Sequence, residues 1–325
     1  MKVVVTDYTF PTLDIEKQIL EPVGCEIVAG QCKETAGLMT LVSDADAVIT
    51  QFAPINAEVI AAMSRARVIV RYGIGVDNVD LNAARERGIP VCNVPDYCID
   101  EVADHTLAFI LAASRNVVGN CVGIRGGSWS LAVPLTRMYA LCDLTIGVVG
   151  FGRIGRAVTS RLGPFKCRRL VHDPLAPLDA IRDAGCEPVE LTALLAQADI
   201  VTLHCPSTPQ TRQMLNAATI EHMKPGVIII NVARGDLIET SALIAALQAG
   251  KIAAAALDVC DPEPIPASSP LCGMENVVLS SHVASASVRA VRTLRETAAN
   301  IAARAIRGEP LPNIVNDPVR RKSSP

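Results

Sequence analysis

A chain of 325 residues, half of them hydrophobic, carries enough apolar material for two cores of ordinary domain size. The net charge is −3 and no long block of Lys and Arg occurs, which argues against a nucleic-acid partner. No uncharged apolar run of about 18 residues is present, so no membrane span is expected.

Aromatics make up only 3% of the chain. Its apolar content is Ala, Val, Ile and Leu, the composition of parallel sheets packed by helices. The amino terminus reads as a strand and has no signal-peptide apolar core before Asp7. Eleven cysteines are scattered without a CxxC pair, so neither a disulfide scaffold nor a zinc site is expected, and a reducing cytosol is the natural compartment. Most of these cysteines read as small core residues. The basic cluster Arg320-Arg321-Lys322 reads as a solvated tail.

Short apolar runs alternate with helical patterns, which predicts βαβ units and doubly wound sheets, an α/β fold. Strands are predicted at residues 2–6, 25–29, 46–50, 67–71 and 90–93, with helices such as 56–63 and 82–87 between them. A long helical pattern covers 101–115. A second series then supplies strands at 144–149, 170–172, 200–204, 227–231, 254–257 and 277–279, with helices that include 153–162 and 241–248. Another long helix covers 288–307. Two long helices at the seams predict that the chain crosses twice between domains. The first domain, 1–98, is then completed by 287–325, and the second is 99–286.

Gly150-Phe151-Gly152-Arg153-Ile154-Gly155 is a GxGxxG motif fed directly by a strand and followed by a helix. Gly150 suits the tight turn, Gly152 lets the backbone approach a pyrophosphate, and Gly155 lets the helix pack on the sheet. The helix amino terminus, from Arg153 and Ile154, offers free N–H groups and a positive dipole end. Asp173 ends the next strand 23 residues after Gly150, where a carboxylate accepts from ribose hydroxyls and repels a 2′-phosphate. NAD is therefore the expected cofactor.

Three later segments place chemistry at predicted strand ends, where ligands of open α/β sheets bind. They are Asn231-Val232-Ala233-Arg234-Gly235, Leu257-Asp258-Val259-Cys260-Asp261-Pro262-Glu263-Pro264, and Ser280-Ser281-His282. Reduction of a 2-oxo acid needs such a set. A guanidinium holds the carboxylate or polarises the ketone, an imidazole gives the proton, and a carboxylate orients the imidazole.

With these motifs the chain resembles the D-isomer-specific 2-hydroxyacid dehydrogenase family, from about residue 45 to 317. The resemblance extends to Gly73-Ile74-Gly75-Val76-Asp77-Asn78-Val79-Asp80, and to Val94-Pro95-Asp96-Tyr97 leading to Glu101-Val102-Ala103-Asp104-His105-Thr106. The stretches 71–80 and 94–106 look closest to the branch of the C-terminal binding protein corepressors and related bacterial dehydrogenases. The resemblance implies two Rossmann-like or flavodoxin-like domains, NAD in a cleft between them, and homodimerisation through the nucleotide-binding domain. It assigns substrate binding to Arg234, the acid–base pair to His282 and Glu263, and the nicotinamide amide to Asp258. It also places Arg71, Ile74 and Gly75 at the substrate, the last two in a carboxylate-binding nest. Thr106, Ala233, Cys205 and Pro206 fall along the cofactor. No redox role is expected for Cys205, and Cys260 reads as packing. D stereochemistry is implied by the resemblance alone.

The chain departs from the family at Ser281, where Pro usually precedes the histidine, and at Val283-Ala284-Ser285-Ala286-Ser287, where several branches carry an aromatic. These small residues suggest a pocket for a substrate larger than pyruvate or glyoxylate. Cys142-Asp143 stands where a basic residue usually precedes the GxGxxG strand. Rival readings are an NAD(H)-sensing corepressor-like binding protein and a phosphite dehydrogenase-like enzyme. Glu263 argues against the formate-oxidising branch, which has Gln there. A biosynthetic phosphoglycerate dehydrogenase remains open, although no regulatory domain follows residue 317.

Overall fold

The computed structural model describes residues 1–318, and the basic cluster at 320–322 lies outside them. Two compact units form, Met1–Cys98 with Ser287 onward, and Ile99–Ala286.

The first unit runs β1 (Lys2–Val5), α1 (Asp14–Leu20), β2 (Glu26–Ala29), α2 (Thr35–Val42), β3 (Ala47–Thr50), α3 (Ala57–Ala62), β4 (Ile69–Arg71), α4 (Leu81–Glu86) and β5 (Val91–Cys92). The chain then passes into the second unit with α5 (Ile99–Ser114), α6 (Val117–Arg125), β6 (Thr145–Val149), α7 (Arg153–Leu162), β7 (Arg168–His172), α8 (Leu178–Asp183), β8 (Glu187–Pro188) and α9 (Leu191–Gln197). It continues through β9 (Ile200–Leu203), α10 (Ala217–Glu221), β10 (Val227–Asn231), α11 (Thr240–Gln248), β11 (Ile252–Leu257) and β12 (Val277–Leu279). Helix α12 (Val288–Arg307) belongs to the first unit.

All strand pairs are parallel. The first sheet has the order β2-β1-β3-β4-β5, a flavodoxin-like arrangement, and the second β12-β11-β10-β9-β6-β7-β8, a Rossmann-like one. The strand period of two divides each run between two cores. Val3 and Val5 of β1, with Ala47 and Ile49 of β3, join the core under α1 and α12. Val4 and Val48 join the core on the opposite face. This two-sided burial is why the strands read as unbroken apolar runs.

Several helices start on a side-chain cap. Asn56, Asp80 and Ser287 accept backbone N–H bonds at the first turns of α3, α4 and α12. Gly308, in the left-handed region, ends α12.

Among the places where the structure differs from the sequence reading, three concern the second sheet's edge and the cysteines. Strand β7 starts at Arg168 rather than Leu170, because Arg168 pairs with Glu187 on the neighbouring edge strand and Arg169 donates to the Thr159 and Gly185 carbonyls. Strand β8 has two residues, one of them a proline, which a sheet tolerates only at its edge. The cysteines are less uniformly core than expected. Five are buried, Cys32, Cys205 and Cys260 are half-buried, and Cys121, Cys142 and Cys272 are exposed.

Helix α12 is locked to α1 by a buried ion pair. Arg295 Nε and Nη2 donate to the two carboxylate oxygens of Glu16 at 2.9 and 2.6 Å, and Nη2 also donates to the Thr12 carbonyl. Tyr72 Oη donates to Glu16 at 2.9 Å, and the guanidinium lies 4.7 Å over the Phe10 ring. Burial, with the Glu16 charge beside it, pushes the Tyr72 phenol well above its usual value. Removing one partner of such a pair strands a buried charge. Glu16→Ala is expected to lower the unfolding free energy in urea by about 3–5 kcal/mol, and Glu16→Leu/Arg295→Met by much less. A loss below about 1 kcal/mol for Glu16→Ala would show that the pair is not a structural lock.

Candidate active site

In the second unit, β6 delivers the chain to Gly150, whose φ is +98°. A Cβ there would lie 2.7 Å from the His204 carbonyl, so β9 packs too close for any side chain. A Cβ at Gly155 would lie 2.1 Å from the Gly150 oxygen, because α7 sits directly on the turn. A Cβ at Gly152 meets nothing within 4 Å, and no side chain caps α7 there. Packing therefore demands two of the glycines. The third fronts open space at a ten-residue helix amino terminus, where Gly152 and Arg153 are exposed and Ile154 is half-buried. That is the cradle a pyrophosphate requires.

Asp173, at the end of β7, accepts the Phe151 N–H at 2.7 Å and the Leu175 N–H at 2.9 Å. It thus fixes the glycine turn while each oxygen keeps lone-pair capacity for a ribose hydroxyl. On the other side of β6, His204 leaves β9 and meets Thr202 Oγ1 at 2.9 Å. The residue keeps some exposed surface, yet burial of the ring pulls it down to about 3, so it stays neutral. Cys205 is half-buried with its Sγ 3.8 Å from Met214 Sδ, and burial pushes the thiol up to about 11. A protonated thiol of this kind is unreactive. Pro206, next to it, is exposed. Thr106, expected beside the cofactor, is fully buried and spends its hydroxyl hydrogen on the Val102 carbonyl within α5.

The strand ends β10, β11 and β12 carry the second group. Asn231 closes β10 and braces the turn after it, accepting from the Ala233 N–H at 3.0 Å and donating to the Arg234 carbonyl at 2.7 Å. A Cβ at Gly235 would lie 2.1 Å from the Cys260 carbonyl, so glycine is required for the two loops to pass. His282 Nδ1 lies 2.6 Å from Glu263 Oε1, both side chains being partly exposed. Burial works to raise the Glu263 carboxyl. The hydrogen bond from His282, its charge and that of Arg234 outweigh this and hold it below its ordinary value. Arg234, Glu263 and His282 thus fall within one electrostatic cluster. Cys260 packs half-buried against the core of this unit, its thiol pushed up to about 11 by burial.

Asp258 takes a place the sequence did not indicate. Its carboxylate, 2% exposed, accepts the Val283 and Ala284 N–H groups at 2.8 Å each, and its carbonyl accepts the His282 N–H. It is the anchor of the histidine loop.

In the first unit, β4 ends at Arg71. Its guanidinium runs where a Cβ at Gly73 would be, 1.4 Å from Nη1, so Gly73 exists to let it pass. It lies 5.9 Å from the Phe52 ring centroid, and so does Lys33 Nζ. Asn93 braces the following loop by donating to the Ile74 carbonyl at 2.7 Å, and Ile74 and Gly75 are half-buried. Buried Asp7 accepts the Gln51 and Phe52 N–H groups and so fixes the Phe52 turn. Nothing in the sequence spacing pointed to Phe52, Lys33 or Asp7. Asn231, a polar residue closing a strand of Val and Ile, was a readable signal.

A family model described as D-isomer specific 2-hydroxyacid dehydrogenase, NAD binding domain, matches residues 107–284. The chain is 39% identical over 315 residues to a glyoxylate reductase of Korarchaeum cryptofilum, covering 96% of this chain and 92% of that protein. It is 37% identical over 321 residues to a D-3-phosphoglycerate dehydrogenase of Methanocaldococcus jannaschii, covering 98% of this chain and 60% of that longer protein. The crystal structure of a D-lactate dehydrogenase from Aquifex aeolicus, complexed with NAD and lactic acid, superposes with a TM-score of 0.85 at 25% identity, over 94% of this chain and 96% of that one.

Asp173→Ala is expected to weaken NADH binding roughly tenfold or more, since a charge-assisted hydrogen bond contributes about 1.5–3 kcal/mol. It should also narrow the gap between NADH and NADPH. Fluorescence titration with both cofactors measures this, and unchanged NADH affinity would remove Asp173 from the ribose site.

Proposed function

Because the chain belongs to the D-isomer-specific 2-hydroxyacid dehydrogenase family and is an NAD-dependent oxidoreductase of 2-hydroxy acids, we propose that His282, Glu263 and Arg234 carry its chemistry. The carrying observation is the 2.6 Å contact between His282 Nδ1 and Glu263. An ionised carboxylate only accepts, so Nδ1 bears the hydrogen and Nε2 is left to exchange a proton with the substrate oxygen. Glu263 orients the imidazole that gives a proton to the carbonyl oxygen during reduction. Arg234 holds the substrate through its fork of donors. Arg71 and the Ile74–Gly75 backbone receive the substrate carboxylate. NADH, when bound along the glycine turn and Asp173, supplies the hydride to carbon 2 of the oxo acid.

The substrate is a 2-oxo acid larger than pyruvate or glyoxylate, with the D-2-hydroxy acid as its reduced form. Support for the size comes from Val283 and the small residues after it, in the loop that follows His282.

The enzyme is a homodimer. Support comes from α6 and the segment after it: no residue of α6 is buried, Trp129 and Leu135 stand 90% and 73% exposed, and Val122, Leu131 and Tyr139 are exposed as well. So many large apolar side chains left exposed in one stretch of chain suit an association surface. The cytosol is the compartment, supported by eleven free cysteines, three of them exposed.

NADH oxidation against a panel running from glyoxylate and hydroxypyruvate to branched, phosphorylated and phosphonylated 2-oxo acids tests the function. His282→Ala is expected to lose about 10²–10⁴-fold in turnover. Glu263→Gln should lower turnover by less than His282→Ala does, because an amide oxygen can still accept from Nδ1 but carries no charge. Wild-type protein that binds NADH but reduces nothing would turn the reading toward a binding protein or phosphite oxidation. A preference for glyoxylate over bulkier acids would remove the larger-substrate assignment.

Light scattering at micromolar concentration should give twice the chain mass, and Trp129→Ser/Leu135→Asp should shift it to one chain mass. A monomeric wild type would reject the dimer.

A further inference from the structure

The loop that presents His282 is held in a demanding conformation. His282 has φ +56°, in the left-handed region that a residue with a Cβ occupies only when its surroundings impose it. Ser281, unlike a proline, does not fix its own φ. The constraint therefore comes from elsewhere, and Asp258 supplies three bonds of it, accepting Val283 and Ala284 through its carboxylate and His282 through its carbonyl. Two further groups join this anchor. Ser280 Oγ makes a short hydrogen bond to Asp258 Oδ1, and His105 Nε2, from α5, lies 3.2 Å from Ser280 Oγ and 4.0 Å from Asp258 Oδ1.

Counting hydrogens orders the chain of bonds. The buried carboxylate can only accept, so the single Ser280 hydroxyl hydrogen goes to Asp258. Ser280 then faces His105 with a lone pair, and His105 Nε2 must carry the hydrogen between them. The neighbouring carboxylates Asp100 and Asp104 point instead to Arg161, at 2.8 and 2.7 Å. Phe109 holds the ring edge-on with centroids 4.4 Å apart. In a low-dielectric site, successive donation strengthens each bond.

We propose that His105 is a positioning residue of this enzyme, donating through Ser280 to Asp258 and so holding the left-handed backbone that aims His282. It touches neither the acid–base pair nor the reacting atoms, and it rests on the reading of His282 as the acid–base group.

Two measurements test it. In protein labelled with 15N-histidine, long-range 1H–15N spectra should show a proton on Nε2 of His105, with the signal assigned by its loss in His105→Gln. A ring protonated on Nδ1 alone would overturn the proposal, and this reading needs no substrate. In turnover of the 2-oxo acid found by the panel, His105→Leu should lower kcat roughly tenfold, because sub-ångström misplacement of an acid–base group is costly. His105→Gln, which keeps an N–H donor at similar reach, should recover most of it at an equal thermal midpoint. Ser280→Ala should match His105→Leu, and the double variant should be no slower than either single one. Additive losses, or a Gln variant as slow as the Leu variant, would reduce His105 to a packing residue. A wild type that reduces no 2-oxo acid would sink the proposed function while the His105 proton position still reported on the relay.

Discussion

Among the described residues every pair of named strands is parallel, and the rest of the structure follows from that constraint. A parallel strand must return by a crossover, so helices cover both faces and all strand carboxyl ends lie along one edge of their sheet. That edge is where backbone groups fall out of the ladder and short loops can present side chains. Arg71 ends β4, Asp173 follows β7, His204 follows β9, Arg234 follows β10, Asp258 follows β11 and His282 follows β12. The chemistry is distributed over separate segments of chain and is gathered within each unit by the direction of its strands.

Loops at such an edge need bracing, and here buried polar groups supply it. Asp7, Asn231 and Asp258 each take up backbone N–H groups of an adjoining turn, leaving few ways for that turn to rearrange. A carboxylate that accepts several N–H groups satisfies itself and organises donors that would otherwise be stranded. Glu16 with Arg295 does the same on a larger scale, tying the carboxyl-terminal helix to the first helix and, through Tyr72, to the residue before Gly73. Packing glycines complete the scheme. Gly150, Gly155 and Gly235 are fixed by backbone approaching within about 3 Å of an added Cβ, whereas Gly152 is open for a ligand.

Much of this was legible in advance. Helices Arg153–Leu162 and Val288–Arg307 and strands Val227–Asn231 and Val277–Leu279 have the bounds read from the sequence, since each pairs a strong apolar period with a clear stop. Helix α6 escaped that reading because none of its residues is buried, so its pattern had no core face to report. Thr106 was placed by resemblance, and its burial within α5 could not have been foreseen from its neighbours in the chain.

By itself the sequence determined the α/β class, the glycine turn with Asp173, and the residue types able to pair an acid–base imidazole with a carboxylate and a guanidinium. These depend on periodicities of two and 3.6 and on local spacing, which one stretch of chain carries whole. Only the tertiary structure decided that His282 meets Glu263 at 2.6 Å, that Asp258 anchors the loop, and that His105, 175 residues from Ser280, reaches it. Those relations depend on which strands and helices become neighbours. Long-range packing sets that, and no local pattern in the chain encodes a distance between segments so far apart.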